Sequence, residues 1–397
     1  MSDSKPFFNY FPPMGIYKTL YAFLDSFGSY MGSPGTHPWS QGYPVTSQLP
    51  GGPKMPTNHE FPPEDLMYPK AWGLPALREA IAGYYKTYYG SDISSENVMV
   101  FAGGRPALIA LLLFLDPEVN ILIAETEYTP YYDMLERLGR KYSLIQSNIA
   151  NNFSPTLTEY TKGSIEQRSL IMMSNPCNPT GITTHGESLS QFVEAAQSDN
   201  KAALFDEAYE LFHDAPVSAM QYIRNIDESN AIVVGAATKG LQAPGIRIGW
   251  VVASKATIEI LGNFSSFGMG GVSHLSQRVA TKMLEEEHVS LSRKAVPTYY
   301  KNQRDRYGEA FEKIGLKNYS GDGGFYHWCQ LPSGLSAEEF NQRLFKEGAA
   351  VLKGTDCDMA RRGEISPLRN FFRFSFGPLL PDSFESDIDI LKRTLQS

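Results

Sequence analysis

Short aliphatic runs alternate with longer segments of helical period along most of this chain. VMVF at 98–101, NILIA at 120–124, SLIMM at 169–173, AALFD at 202–206, AIVVG at 231–235 and IGWVVA at 248–253 are too short for helices. They are apolar at successive positions, the pattern of strands buried on both faces. Between them LREAIAGYYKTYY (77–89), RPALIALLLF (105–114) and LSQFVEAAQ (189–197) carry apolar residues at helical spacing. Such alternation demands crossover connections, so the expected fold is α/β, a large domain with a central mixed, mostly parallel sheet flanked by helices. Ligands of these sheets bind beyond the carboxyl ends of the strands.

The pattern changes after residue 273. HLSQRVATKMLEEEH (274–288) and a charged stretch to 311 read as helical, GGFYHWCQL (323–331) as a strand, SAEEFNQRLFKEG (336–348) as a helix and FFRFSF (371–376) as a strand. This is a smaller α+β domain. The first 65 residues are rich in Pro, Gly and aromatics, with one amphipathic helix near 16–27. The expected division is an N-terminal segment, 1–50, contributing to the small domain and the substrate entrance; a large ligand-binding domain, 51–274; and a small C-terminal domain, 275–397.

Composition removes several classes. With 397 residues and 42% hydrophobic content the chain can bury a large core, which excludes disorder. The 35 Lys+Arg against 43 Asp+Glu give a net charge of −8, without the basic stripe that nucleic-acid binding needs. The longest apolar run, 107–115, cannot span a bilayer, and the N-terminus MSDSKPFFNYF lacks a secretory apolar stretch. A cytoplasmic location without membrane partners is expected. The three cysteines, Cys177, Cys329 and Cys357, are too scattered for a disulfide framework or a thiolate zinc site. No pair among the seven histidines has the spacing of a helical zinc motif, so no metal is expected. No G-x-S-x-G elbow, Walker A sequence or complete dinucleotide fingerprint is present.

The chemistry-bearing residues cluster just after buried strands. SNPCNPTG (174–181) follows SLIMM; Asp206, Glu207 and Tyr209 follow AALF; Thr238 and Lys239 follow AIVVG. Consecutive strand ends thus deliver an amide, a carboxylate with a phenol, and an amine. Arg247 stands in KGLQAPGIRIGW, where APG lets the chain turn back towards the amine, and its planar guanidinium suits a phosphate. Upstream, AGGRPALIAL sets two glycines where a strand gives way to a helix, aiming backbone N–H groups at an anion.

These residues resemble those of the fold-type I pyridoxal-phosphate enzymes, specifically the class I/II aminotransferases, from about Trp39 to the C-terminus. The likeness is most specific in SNPCNPTG, in DEAY (206–209) and in TKGLQAPGIRIGW (238–250). The resemblance implies an aspartate-aminotransferase-like fold with pyridoxal 5'-phosphate held in the large domain. By the same resemblance, Lys239 forms the aldimine with the cofactor and moves the substrate α-proton, while Asp206 pairs with the pyridine nitrogen and keeps the ring an electron sink. Asn178 and Tyr209 bond the phenolic oxygen, and Tyr128, in ETEYTPYY, stacks on the ring. Gly104, Arg105, Thr238 and Arg247 bind the phosphate, joined by Tyr68 of a second subunit, which would make the protein a homodimer with shared active sites. Arg373, in FFRFSFG, grips the substrate carboxylate, with Gly42 and Asn178 beside it.

The chain departs from the family pattern at Ala236, where many relatives place a phosphate-binding serine, and at Tyr131, where some place a histidine. The implied reaction moves the amino group of an L-amino acid to a 2-oxo acid; a lyase, cyclase or oxidase acting through the same carbanion is the alternative. The sequence leaves the substrate open: Lys70 or Arg105 could meet a second carboxylate, Phe7, Phe8, Tyr10 and Tyr17 an apolar side chain, and Glu125 or Glu127 a basic one.

Overall fold

The structure, a computed structural model, describes residues 7–8, 10–58, 60, 62–163 and 167–396. Its helices are α1 (Tyr17–Phe27), α2 (Pro75–Tyr89), α3 (Gly104–Phe114), α4 (Pro130–Arg137), α5 (Leu157–Thr161), α6 (Gly186–Ala195), α7 (Lys255–Phe264), α8 (His274–Met283), α9 (Glu286–Lys313), α10 (Ala337–Lys346) and α11 (Phe384–Gln396). Seven strands, β1 (Val98–Phe101), β2 (Asn120–Ala124), β3 (Tyr142–Ile145), β4 (Ser169–Ser174), β5 (Lys201–Asp206), β6 (Ala231–Ala236) and β7 (Gly249–Val252), form one sheet in the order β1-β7-β6-β5-β4-β2-β3. A second, antiparallel sheet runs β10 (Leu352–Lys353), β11 (Phe371–Ser375), β9 (Tyr326–Gln330), β8 (Lys317–Asn318).

Among the described strands of the large sheet, only β7 runs against its neighbours. The connection from β6 to β7 carries no crossover helix, so the chain can only return antiparallel. Alternate residues of each strand enter different cores. Val98 and Val100 pack with Leu77, Ile81 and Tyr85 of α2 and Leu189 and Phe192 of α6. Met99 and Phe101 pack with Leu108 and Leu111 of α3, Leu135 of α4 and Leu261 of α7. A helical layer on each face is the reason these strands are apolar throughout.

Local signals fix several boundaries. Pro75 opens α2 in its first turn, and Gly90, in the left-handed region at φ 67°, closes it. The stretch 274–288, expected as one helix, is two: α8 ends at Met283, Glu285 is extended, and α9 restarts with Glu286 and Glu287 in its first turn, where the helix dipole favours acids. Within α9 the packing changes partner. Val289 belongs to the core of the seven-stranded sheet, whereas Ala295, Val296 and Tyr300 join the core of the four-stranded sheet, with Pro297 inside the helix at the changeover. Trp39, Val45 and Leu49 from the N-terminal segment pack into that second core beside Phe374 and Phe376.

β7 passes close to the turn between β1 and α3. A Cβ at Gly249 would lie 2.5 Å from the carbonyl carbon of Gly103 and 2.6 Å from the nitrogen of Gly104. Gly249→Ala is therefore expected to destabilise the protein by about 1–3 kcal/mol, the usual range for overpacking. Urea unfolding followed by circular dichroism would check this.

Candidate active site

The parallel register aligns the carboxyl ends of β4, β5 and β6, with Ser174 opposite Asp206 and Asp206 opposite Val234. Above these ends lies a cavity of about 320 Å³. Its walls bring together Gly42, Gly104, Arg105, Tyr128, Asn178, Asp206, Tyr209, Thr238, Lys239 and Arg247, every residue to which the family resemblance gives a role except Arg373 and Tyr68. Arg373, on β11, lines an adjoining space of about 250 Å³ that shares Gly42, Arg105, Tyr128, Asn178, Tyr209 and Lys239, and is roofed by Ile16, Tyr17 and Leu20 around α1. Tyr68 is 94% exposed and lines neither space.

Asp206 is buried at the end of β5. Its carboxylate accepts the Tyr131 hydroxyl at 2.8 Å and the backbone N–H of Ala208 at 3.2 Å. Burial pushes its pKa up, opposed by these two bonds and by the nearby charge of Lys239. The Lys239 amine donates to the Gly42 carbonyl, so the N-terminal segment reaches the centre of the site. Burial is the largest influence on this amine, and the positive charges of Arg105, Arg373 and Arg247 act in the same direction, bringing its pKa down to about 7. Lysine is unusually susceptible to such shifts when buried.

At one end of the cavity, α3 presents its N-terminus behind Gly103, which adopts φ 106°. A Cβ there would fall 2.3 Å from the Arg247 guanidinium, so only glycine admits the arginine this close. Arg247 donates to the Pro244 carbonyl at 2.9 Å, and Arg105 donates through Nε to the Tyr128 hydroxyl at 2.8 Å. This end collects backbone N–H groups, two guanidinium groups and the Thr238 hydroxyl, a donor set suited to a phosphate dianion.

At the other end, Arg373 is 4% exposed. It donates to Asn178 Oδ1 at 2.9 Å and to the Ser40 carbonyl at 2.6 Å, and its guanidinium lies 4.2 Å from the centre of the Tyr326 ring. Its Nε has no hydrogen-bond partner among the described residues. Asn178 donates to the Tyr209 hydroxyl at 3.4 Å, and that hydroxyl lies 2.5 Å from the Tyr326 hydroxyl.

Three further participants have roles that the sequence does not assign. Tyr326 sits at the start of β9 opposite Ser375 of β11, and this pairing in the second sheet brings its ring under the Arg373 guanidinium. Ser174 receives the backbone N–H of Asn178 at 3.1 Å and donates to Glu127 at 2.5 Å. Glu127 is itself buried, its pKa raised by that burial to about 7. With Ser174 and the Tyr128 N–H bonded to it, Glu127 braces the strand ends and is not exposed to a basic substrate group. Glu125 pairs with Arg362 at 3.5 Å.

Residues 58–383 match the family model for aminotransferase class I and II. The chain is similar to the aspartate aminotransferase of Sulfolobus acidocaldarius, 26% identical over 78% of each chain. It is likewise similar to the LL-diaminopimelate aminotransferase of Dehalococcoides mccartyi, 26% identical over 82% of this chain and 87% of the relative. Among solved structures, a single mutant of the Thermus thermophilus aspartate aminotransferase superposes with a TM-score of 0.78, at 21% identity and over 97% of both chains. The aromatic aminotransferase of Pyrococcus horikoshii gives 0.74 at 23% identity, over 83% of this chain and 88% of that one.

The low amine pKa has a direct readout. Below about pH 7 the Lys239 amine is protonated and inert; above it the free base predominates. In cofactor-free protein, an amine-selective reagent followed by peptide mapping should modify Lys239 with a midpoint near pH 7, well below the pH at which an exposed lysine becomes reactive.

Proposed function

The chain belongs to the class I and II aminotransferases, and from that premise we propose that the cavity above β4–β6 holds pyridoxal 5'-phosphate and that Lys239 is its attachment and proton-transfer residue. The observation that carries this reading is a half-buried amine of lowered pKa set beside a buried carboxylate and three guanidinium groups. The donor set fits the cofactor at both ends. Gly104, Arg105, Thr238 and Arg247 would hold the phosphate, and Asp206 the pyridine nitrogen. Asn178 and Tyr209 would bond the phenolic oxygen, and Tyr128 would flank the ring. When bound, the cofactor supplies an electron sink for the charge left on the substrate α-carbon.

The protein's own groups then do the following. Nζ of Lys239, whose lowered pKa of about 7 makes the free base available from neutral pH upward, takes the proton from the substrate α-carbon. Asp206, held by Tyr131 on one side and the Ala208 N–H on the other, is oriented to keep a bonded nitrogen protonated. Arg373 binds the α-carboxylate of the amino acid, with its unpartnered Nε completing a two-bond grip beside Asn178. Gly42 leaves room here for Tyr326, since a Cβ at that position would fall 2.5 Å from the tyrosine hydroxyl. The net reaction transfers the amino group of an L-amino acid to a 2-oxo acid, and none of the relatives named above is a lyase, cyclase or oxidase.

The active unit is a homodimer in which Tyr68 of a second copy completes the phosphate site. Support comes from the solvent-facing run Leu66, Met67 and Tyr68, three large side chains whose apolar surface would otherwise face water. The division of labour gives 51–274 to cofactor binding, while 1–50 and 275–397 form the smaller unit over the substrate. The three cysteines are unpaired, which suits a cytoplasmic, reducing compartment. No described helix is long and apolar enough to cross a membrane.

Mixing the purified holoprotein with single amino acids should convert the absorbance of the cofactor aldehyde form to that of its amine form, and an added 2-oxo acid should reverse the change. Absence of conversion with every amino acid would overturn the reading. Lys239→Ala should lower turnover by at least about 10²–10⁴-fold, the usual range for an acid–base residue. Arg373→Ala should raise KM and lower kcat/KM by about 10²-fold, as expected when charge-assisted bonds to a carboxylate are lost. Sedimentation should report a dimer, and Tyr68→Phe should weaken cofactor retention while leaving the dimer intact.

A further inference from the structure

The fold brings together three side chains that no motif connects. His185 precedes α6, His213 follows the Tyr209 segment, and Asp322 lies in the glycine-rich loop ahead of β9. One donor atom from each lies within 4.8 Å of the other two. We propose that His185, His213 and Asp322 bind a divalent transition-metal ion, Zn²⁺ being the reference case, and that this ion ties two loops of the seven-stranded unit to the second sheet. This site lies outside the cofactor cavity and does not depend on the aminotransferase reading.

Geometry supports it first. Nε2 of His213 is hydrogen-bonded to Oδ2 of Asp322 at 3.3 Å, a contact that a bound ion would replace. Tetrahedral zinc, with bonds of about 2.0–2.2 Å to nitrogen and carboxylate oxygen, sets neighbouring donors about 3.3–3.5 Å apart, so this pair already has the spacing of two ligands. Nδ1 of His213 lies 2.7 Å from the Ala215 carbonyl. A backbone carbonyl on the far ring nitrogen is the usual outer support of a metal-binding histidine, because it fixes the ring and leaves the other nitrogen free to ligate. His185 is exposed, its ring centre 5.4 Å from that of His213, so rotation of its side chain can close the set.

The framework beneath is fixed. Gly321 N–H donates to the Thr180 carbonyl at 2.9 Å and Gly323 N–H to the Gly181 carbonyl at 2.7 Å, clamping the Asp322 loop onto the segment that leads to His185. A Cβ at Gly321 would meet the Ile182 backbone at 2.3 Å, so the approach is as close as glycine allows. The neighbouring cation, Arg304, is engaged by the carbonyls of Phe212 and Gly324 and lies 3.9 Å from Asp214. Two imidazoles and one carboxylate favour zinc, nickel or copper over magnesium or calcium, which prefer oxygen-rich sites. The three joined segments also carry Asn178, Tyr209 and Tyr326, so an ion here would restrain groups that surround Lys239.

The test uses the cofactor-loaded full chain, treated with chelator and titrated with zinc chloride alone by calorimetry. One saturable site per chain is expected, with a rise in Tm at saturating zinc. His185→Gln and Asp322→Asn should each weaken affinity at least about tenfold, whereas His288→Gln should leave it unchanged. His185 is exposed, so its substitution preserves the fold, and an unaltered Tm before zinc addition would verify that. Failure of the native protein to bind zinc saturably, or equal affinity in His185→Gln and Asp322→Asn to that of the native chain, overturns the proposal. Both readouts are independent of turnover, so a failed amino-transfer assay would leave the metal site standing, and a failed zinc titration would leave the aminotransferase reading standing.

Discussion

The interaction on which the structure depends is the confinement of one amine among like charges. Lys239 feels the charges of Arg105, Arg247 and, from the adjoining space, Arg373, and Asp206 is the carboxylate that offsets them. Repulsion and desolvation together favour the uncharged amine, which is the form able to attack a carbonyl carbon or accept a proton. The same surplus of guanidinium charge calls for anions. One arginine lies beside the N-terminus of α3 and another at the opposite wall with an unpartnered nitrogen, so the cavity is polarised for a molecule bearing negative groups at two separated points.

Holding three guanidinium ions, an amine and a carboxylate close together requires a stiff frame, and the sheet provides it. Asp206 ends a strand buried along most of its length, flanked in register by β4 and β6. Behind these ends, Glu127 binds Ser174, which in turn fixes the backbone of Asn178, so a second carboxylate stabilises the loop from the side away from the cavity. Tyr131 bonds Asp206 directly. A phenol there donates a hydrogen bond and adds no proton-exchanging charge near neutrality.

Much of this frame is legible in the linear sequence. The strands at 98–101 and 120–124 are delimited as their apolar runs are, because burial on both faces leaves the hydrophobic pattern unbroken. The strand-end residues are legible for the same reason: a buried strand gives way abruptly to polar chemistry. What the sequence hides is weakly patterned or assembled from distant segments. β3 is a partly exposed edge strand, and the two-residue strands β8 and β10 carry no periodicity at all. The break between α8 and α9 falls inside a continuous helical pattern, and the residues on either side of it, Met283 and Val289, pack in the same core. Tyr326 reaches the site only through pairing in the second sheet, and Ser174 through a hydrogen bond that spacing cannot encode.

Helix α9 couples the two units mechanically. It is a single rod of 28 residues whose first turns are anchored in one hydrophobic core and whose remainder is anchored in the other. A proline at 297 removes a rung from its hydrogen-bond ladder near the changeover, where a helix bends most readily. One rod thus spans both cores, and the distance between the arginine on the second sheet and the lysine on the first depends in part on its shape.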